Sequence, residues 1–171
     1  MNCYLFFDTE TSGLLPNVSL DSTTLSQYPR LIQLAGCLYN EDGDLMEEFD
    51  YIVNPTDFYI QNSNIHGITQ EIAKGKGLDL DTVLNKFNKK VQQANLIVAH
   101  NYQFDSTIIE AECMRARMNS ILQGCNSFCT MSESSPTNVS ISLQNLHFEL
   151  FNENFKNHHE GLRDASMTAK C

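Results

Sequence analysis

The sequence predicts a mixed α/β fold in which helices cover the faces of one sheet. Two observations predict it: an early pair of strand-like segments is joined by a hairpin turn, and strand-like and helix-like segments alternate after it. The 171 residues, 42% hydrophobic and 19% charged, are enough for one folded domain and too few for two. A single domain is therefore expected over residues 1–171.

The first part of the chain is expected to form three strands. Residues 4–7 are an apolar, aromatic run typical of a short buried strand. Residues 16–29, rich in Ser, Thr and Asn, predict a long loop. Strand-like runs at 30–39 and 45–53 flank residues 40–44, whose Asp-Gly pair is a strong hairpin signal, so these two strands should be antiparallel neighbours.

Helices are expected in the rest of the chain. Asp79 or Asp81 can cap a helix with apolar residues at helical spacing, namely Val83, Leu84, Phe87 and Val91. Residues 96–99 predict a strand, and the helix after it has four apolar residues on one face: Phe104, Ile108, Ala111 and Met118. Two more helices are predicted, around residues 143–150 and from near Gly161.

Acidic residues outnumber basic ones by 21 to 11, which gives a formal net charge of −10. This excludes a polybasic protein that binds nucleic acid or membrane surfaces through charge alone. The chain has no apolar run of membrane-spanning length, and its start lacks the basic residues of a signal peptide. A cytoplasmic location without a membrane partner is expected.

The six cysteines are scattered and contain no C-x2-C pair: Cys3, Cys37, Cys113, Cys125, Cys129 and Cys171. The spacing therefore favours neither a zinc ribbon nor a redox dithiol. Free and mostly buried thiols are expected.

Acidic residues lie at the ends of two strand-like runs and in the last predicted helix. Asp8 and Glu10 are two residues apart at the end of the first strand, and in an extended segment this spacing points both side chains to one face. Ligand sites in open α/β sheets form at this end of the strands. Asp105 lies just past the next strand-to-helix junction, where its alternative role is to stabilise the helix N-terminus. His159 precedes Asp164 by five residues, so the imidazole can lie on the loop that enters the last helix.

Taken together and in this order, these segments resemble the DEDDh class of 3′–5′ exonucleases, which contains the proofreading subunit of bacterial replicative DNA polymerase. The motifs are Phe7-Asp-Thr-Glu-Thr-Ser-Gly-Leu14, His100-Asn-x-x-Phe-Asp105 and His159-x4-Asp164-Ala165. Residues 29–36 and 66–69 also resemble that family, so the likeness spans almost the whole chain. It implies a ribonuclease H-like fold with a five-stranded mixed sheet, one antiparallel strand and flanking helices.

The chemistry of the acidic residues favours metal binding. Converging carboxylates repel one another unless cations neutralise them, and oxygen ligands favour Mg²⁺ or Mn²⁺. Two ions about 3.5–4 Å apart can activate a water molecule and stabilise a leaving 3′-oxygen. The resemblance implies that Asp8 bridges two such ions, that Glu10 and Asp164 complete the first site, and that Asp105 supports the second through water.

A histidine is implied as the general base. A neutral imidazole, with an ordinary pKa of about 6.5, is suited to take a proton from the attacking water. His158 and His159 are both candidates, and only His159 matches the spacing of the family.

The resemblance also implies substrate contacts, at Thr11, Leu14, Ile65, His100 and Asn101. The backbone of Thr11 would meet the terminal 3′-hydroxyl, and Leu14 and Ile65 would wedge against the last base. For Ile65 the alternative is ordinary loop packing, since single apolar surface residues are normal. For His66 we favour a loop histidine over a substrate contact.

The implied function is metal-dependent 3′–5′ exonuclease activity on single-stranded or frayed 3′ ends of DNA. Three roles are compatible with it: proofreading beside a polymerase partner, trimming in repair, or action alone. An exoribonuclease acting on short RNA and a catalytically weak nucleic-acid-binding module are the alternatives. The charge balance predicts weak, distributive binding. Five of the eleven basic residues form either a positive strip along a phosphate backbone or a solvated helix face: Lys74, Lys76, Lys86, Lys89 and Lys90.

Two departures from the family pattern concern the last helix. Gly161 stands where the family often has Ala, which lowers helix propensity by roughly 0.8–1.0 kcal/mol but keeps the side chain small. The sequence ends seven residues after Asp164, which predicts a short final helix or a truncated chain.

Overall fold

The structure, a computed structural model, describes residues 2–134, 140–154 and 160–171. These ranges contain one sheet of five strands: β1 (Cys3–Thr11), β2 (Leu31–Asn40), β3 (Leu45–Ile52), β4 (Leu96–Ala99) and β5 (Ser127–Cys129). They also contain seven α-helices: α1 (Ser63–His66), α2 (Gln70–Lys76), α3 (Leu80–Val91), α4 (Tyr102–Arg115), α5 (Thr130–Glu133), α6 (Leu143–Phe151) and α7 (Gly161–Lys170).

The strands lie in the order β3-β2-β1-β4-β5. Strand β2 is antiparallel to both β1 and β3, whereas β4 is parallel to β1 and β5 is parallel to β4. The sheet is therefore mixed, with β2 as its one antiparallel strand, and the expected fold class is confirmed.

The hydrophobic core lies between the sheet and the helices packed on it. Strand β2 is buried along most of its length, as expected of a strand covered on both faces. Phe7 of β1 packs against Phe87 of α3, with ring centroids 5.2 Å apart. All four apolar residues predicted for one face of α3 are buried: Val83, Leu84, Phe87 and Val91.

Strand β1 is longer than its apolar run predicted. Its pairing with β2 continues through the polar residues to Thr11, with a register irregularity between Glu10 and Thr11. Asp8 and Glu10 therefore lie inside the strand rather than beyond it. The extended geometry that places both carboxylates on one face applies to both of them.

Helix α4 is shorter than predicted and ends at Arg115. Arg117 has a φ of 54°, a left-handed conformation that ends a helix. Met118 consequently lies beyond the helix, although it still packs against the core. The pattern did not reveal β5, α1, α2 or α5, because three to seven residues carry too little periodicity.

The hairpin is confirmed, because residues 40–44 form a turn in which the Asn40 N–H donates to the Asp44 carbonyl at 3.1 Å. All six cysteines lie in the described ranges and are free, as expected, but only Cys37 and Cys113 are buried. The expectation of mostly buried thiols is wrong, because the other four lie at element ends or in turns. No helix of the described ranges has the length and apolar character needed to span a membrane.

Candidate active site

Three carboxylates from β1 and α7 meet at one place. Asp8, Glu10 and Asp164 each offer an oxygen within 4.8 Å of the others. Glu10 and Asp164 are buried, at 8% exposure each, and Asp8 is partly buried. The cluster brings together three of the four acids that the motifs singled out.

Gly161 explains how α7 reaches the cluster. In the register of β1 with β2, Asp8 pairs with Ala35 and Glu10 with Gln33, so these four side chains share one face of the sheet. A Cβ added to Gly161 would lie 3.0 Å from Gln33 Oε1 and 3.2 Å from Ala35 Cβ. The missing side chain therefore lets the first turn of α7, which carries Asp164, approach this face closely.

Asp105 reaches the site from α4. Its carboxyl is buried, and its Oδ1 accepts two hydrogen bonds from Thr9, from the N–H at 3.0 Å and from the hydroxyl at 2.6 Å. Thr9 lies between Asp8 and Glu10 in β1, so these bonds fix the strand that carries both carboxylates to the helix that carries Asp105. The first motif contains Thr9 but did not reveal its hydrogen bonds to Asp105, because the two residues are 96 positions apart in the chain.

The crowded carboxylates hold protons more tightly than isolated ones. Burial, followed by the charges of Asp164 and Asp105, raises the pKa of Glu10 to about 8. Burial, followed by Asp105, Glu10 and Asp164, raises the pKa of Asp8 well above its usual value. Burial raises the pKa of Asp105 to about 7, although hydrogen bonds from Thr9 oppose the shift.

These properties fit a site for divalent cations. The donors are carboxylate oxygens, the ligands that Mg²⁺ and Mn²⁺ prefer. Positive charge brought close to buried acids with raised pKa values lets them ionise together at neutral pH. The residues present therefore fit the metal ions that the motifs imply.

Stability without metal is expected to fall as the pH rises from about 5 to 8. Because the pKa of Glu10 is 4.5 in an ordinary setting and about 8 in the fold, the unfolded chain loses this proton first as the pH rises. Each such group then lowers the free energy of unfolding by about 1.4 kcal/mol per pH unit. Thermal unfolding in chelator, compared between wild type and Glu10→Gln, measures this contribution.

Added Mn²⁺ should raise the melting temperature more at pH 8 than at pH 5, because metal binding requires ionised carboxylates. A pH dependence in chelator that is the same for wild type and Glu10→Gln would contradict the raised pKa.

Both base candidates, His158 and His159, lie outside the described residues. The described chain resumes at Glu160, which is the N-cap residue of α7. His159 therefore stays a prediction from the sequence motif.

The predicted wedge residues lie at the surface near the end of β1. Leu14 is 86% exposed and Ile65 is 51% exposed. Thr11 is buried, and its carbonyl accepts a hydrogen bond from Asn62 Nδ2 at 2.8 Å. Since Asn62 precedes α1, which carries Ile65, this bond ties the two segments together. The exposure of both apolar side chains suits contact with a substrate.

His100 and Asn101 have structural roles at the start of α4. The ring of His100 lies between two partners, with Nδ1 2.9 Å from Thr130 Oγ1 and Nε2 2.9 Å from the Ile141 carbonyl. Burial lowers the pKa of His100, which favours the neutral ring that donates from Nε2 and accepts at Nδ1. Asn101 adopts a left-handed φ of 72°, which Asn tolerates better than most residues. This geometry favours a positioning role for His100 over hydrogen bonding to a substrate.

His66, the last residue of α1, is buried, and its ring contacts residues that are close to it in the chain. Its Nδ1 accepts the Ile68 N–H at 3.2 Å, and its Nε2 lies 3.3 Å from Asn62 Oδ1. His66 therefore lies at the end of a short helix rather than in a loop, and these contacts favour a structural role over a substrate contact.

Glu112 holds a buried polar network that sequence reasoning missed. Its Oε1 accepts hydrogen bonds from Arg30 Nε at 3.0 Å and from the Leu31 N–H at 2.8 Å, and pairs with Arg115 at 3.1 Å. Glu112 is 0% exposed, and its Oε2 has no hydrogen-bond partner in the described part of the chain. The Glu-x-x-Arg spacing on α4 is a weak signal for this network.

Arg115 extends the network to the loop at residues 16–29. Its guanidinium donates at 2.8 Å to the carbonyls of Leu25 and Tyr28. The loop that follows β1 is therefore fixed to α4, the helix that carries Asp105.

The lysines at 74–90 do not form one continuous strip along the site. Lys86 lies over the ring of Tyr51 at 5.3 Å, and Lys90 forms an ion pair with Glu47 of β3. These contacts favour a solvated helix face for α3. Lys74, on α2, instead lines an open cleft.

The model of the exonuclease family RNase_T matches residues 5–171 of the chain. Among solved structures, E. coli Exonuclease I in complex with a dA16 oligonucleotide has a TM-score of 0.78 at 18% identity, over 99% of this chain and 40% of that one. Exonuclease I from Methylocaldum szegediense has a TM-score of 0.76 at 16% identity, over 99% of this chain and 39% of that one. An ExoI/SSB-Ct complex has a TM-score of 0.69 at 15% identity, over 99% of this chain and 40% of that one.

The chain thus spans about two-fifths of the length of these solved structures. At such low identity they establish a shared fold, and the expected ribonuclease H-like architecture is confirmed. No functionally curated protein matches the chain significantly in sequence. The family match covers all but the first four residues, which confirms the resemblance of the motifs at the level of the DEDD class. The chain belongs to the exonuclease family RNase_T, a family of the DEDD superfamily.

Proposed function

We propose that the protein is a metal-dependent 3′–5′ exonuclease that hydrolyses phosphodiester bonds from the 3′ end of DNA. The observation that carries the proposal is the convergence of Asp8, Glu10 and Asp164 within 4.8 Å, beside the buried Asp105. A purely structural role would not explain why carboxylates that repel one another are brought together. Membership of the exonuclease family supports the same conclusion.

The four acids are proposed to hold two Mg²⁺ or Mn²⁺ ions. Asp8 would contact both ions, Glu10 and Asp164 would complete the first site, and Asp105 would support the second through water. When bound, such ions supply Lewis acidity, which makes water acidic enough to deprotonate near neutral pH and stabilises the leaving 3′-oxygen. Thr9 keeps Asp105 at a fixed distance from β1 through its two hydrogen bonds.

Substrate orientation is proposed to come from the end of β1. The Thr11 backbone would meet the terminal 3′-hydroxyl, while Leu14 and Ile65 would lie against the last base. Their exposure on two segments joined through Asn62 supports this assignment. His100 and Asn101 would shape the start of α4 and thereby the position of Asp105.

His159 is proposed as the general base that takes the proton from the attacking water. His159→Ala is expected to lower kcat by about 10²–10⁴-fold, the usual range for a lost general base, while Mn²⁺ affinity stays close to that of wild type. His158→Ala is the matched control, with kcat near wild type. Equal losses in the two variants, or a loss in neither, would contradict the assignment.

The substrate is proposed to be single-stranded or frayed DNA, because structures with this fold were solved with dA16 and dT13 oligonucleotides. Short RNA is the alternative substrate, because recognition of the 2′-hydroxyl depends on local fit. A polymerase partner, distributive binding and a cytoplasmic location stay predictions from the sequence. A binding module with little catalysis is the rival function on the same fold.

The experiment that tests the proposal compares 5′-labelled single-stranded DNA and RNA of equal sequence, each with Mg²⁺, Mn²⁺ or chelator. A metal-dependent ladder that shortens from the 3′ end is expected on DNA. Faster shortening of RNA would support the exoribonuclease alternative. Metal and DNA binding without hydrolysis would support the rival binding module.

A further inference from the structure

Two open clefts lie side by side near the candidate active site. One, of about 560 Å³, is lined in part by Leu14 and Arg30. The other, of about 790 Å³, is lined in part by Tyr59 and Lys74. Phe58 lines both clefts, so they adjoin one another across this side chain. The first of them includes Leu14, which is proposed to lie against the last base.

The backbone on either side of Tyr59 is fixed while its ring faces solvent. Tyr59 is 69% exposed, whereas Ile60 is 4% exposed and Phe58 packs against the same small hydrophobic cluster. Gln70 hydrogen-bonds both neighbours, since its Oε1 accepts the Ile60 N–H at 2.9 Å and its Nε2 donates to the Phe58 carbonyl at 3.4 Å. A ring on such a backbone can stack on a base with little further loss of conformational entropy.

The segment that carries Tyr59 is joined to the end of β1. Asn62, three residues later, donates its Nδ2 to the Thr11 carbonyl at 2.8 Å. Three residues span at most about 11 Å, so the backbone of Tyr59 lies within that distance of Asn62. The second cleft is therefore within reach of a strand whose 3′ end lies at Thr11.

The two clefts are lined by cations and aromatic rings, and the acid Asp57 lines both of them. Arg30 lies over the ring of Phe58 at 4.6 Å, with its charge balanced by Asp57 and Glu112. Lys74 is exposed and takes part in none of the ion pairs found in the described ranges. Its charge can therefore pair with a phosphate. Single-stranded nucleic acids are bound by this combination of stacking rings and positive charge.

We propose that the two clefts bind the part of a single strand that lies upstream of its 3′ end, with Tyr59 stacking on a base and Lys74 pairing with a phosphate. The proposal rests on the exonuclease function proposed above and adds the direction in which the strand leaves the site. A nucleic acid is the occupant that matches an exposed ring beside a cation, continuous with the site of hydrolysis.

Binding of a 5′-fluorescein-labelled dT10 strand, measured by fluorescence anisotropy in chelator, tests this path without hydrolysis. Tyr59→Ala is expected to raise Kd about tenfold, as is typical for the loss of one base–aromatic stack. Tyr59→Phe, which keeps the ring, should retain wild-type affinity. Lys74→Gln should raise Kd severalfold and reduce the dependence of Kd on salt.

Two matched controls separate the path from general surface effects. Phe128→Ala removes another exposed aromatic ring, from β5. Lys76→Gln removes the same charge from the same helix. Lys76 is two residues after Lys74, so its side chain points about 200° away from that of Lys74 around the helix axis. Neither should raise Kd by more than about twofold. An unchanged Kd in Tyr59→Ala, or an equal rise in Phe128→Ala, would overturn the proposed path.

Hydrolysis of the p-nitrophenyl ester of thymidine 5′-monophosphate, which has no upstream nucleotide, distinguishes this inference from the proposed function. Tyr59→Ala should lower kcat/KM for dT10 about tenfold more than kcat/KM for the ester. Binding through Tyr59 without hydrolysis of either substrate would overturn the exonuclease function and keep the path. Hydrolysis of both substrates without dependence on Tyr59 would overturn the path alone.

Discussion

Asp8→Asn is expected to lower kcat for hydrolysis at the 3′ end by about 10³-fold, since stabilisation of transition-state charge by metal ions is worth several kcal/mol. Asp8 is the acid whose carboxyl is proposed to contact both ions. The amide keeps the size of the side chain but carries no charge, so the loss would reflect metal binding rather than packing. Kinetics in saturating Mn²⁺, with thermal unfolding of the same preparation, provide the measurement.

The same substitution should stabilise the metal-free protein near pH 8. Burial and three neighbouring acids raise the pKa of Asp8, so its ionised form is disfavoured in the fold and its removal relieves repulsion. Asp42→Asn, an exposed acid in the hairpin turn, is the matched control and should change neither kcat nor the melting temperature appreciably. Full activity in Asp8→Asn, or a metal-free protein less stable than wild type, would contradict this account.

Glu112→Ala is expected to lower the free energy of unfolding by about 3–5 kcal/mol, because it leaves the buried charges of Arg30 and Arg115 without their shared partner. In a chain of this size the melting temperature should fall by about 10 °C or more. Urea unfolding, with its midpoint and slope compared between variants, measures the change.

Glu149→Ala is the matched control for this prediction, because Glu149 is an exposed acid on α6. Its effect should stay within about 0.5 kcal/mol. Glu112→Gln keeps a hydrogen-bond acceptor but loses the charge. Its effect on the free energy of unfolding should lie between those of Glu112→Ala and Glu149→Ala. A change below about 1 kcal/mol in Glu112→Ala would mean that the network does not hold the loop at residues 16–29 to α4.

Sequence patterns predicted the elements whose local signals are long or chemically specific. The apolar spacing of α3 predicted its buried face, and the Asp-Gly pair predicted the hairpin between β2 and β3. Strand β5, with three residues, and helix α1, with four, have no such signal. Their positions depend on pairing with β4 and on contacts with the end of β1, which are tertiary in origin.

The acidic part of the site was predictable because each acid lies in the last residues of a strand or in the first turn of a helix. The sheet collects those positions at one edge, so three short motifs identified Asp8, Glu10, Asp105 and Asp164. The contacts that support them were not predictable. Thr9 and Asp105 are 96 residues apart, and nothing in the local sequence of either indicates their hydrogen bonds.

The bound metal and the hydrolysis that depends on it can be measured on one preparation, and this tests the central claim most directly. Chelated protein at pH 8 is titrated with Mn²⁺ while bound ion and the shortening of 5′-labelled single-stranded DNA are followed together. We expect hydrolysis from the 3′ end to rise with occupancy, to stop in chelator, and to be lost with Mn²⁺ affinity in Asp8→Asn. Hydrolysis that persists in chelator or in Asp8→Asn would contradict a metal centre formed by these carboxylates.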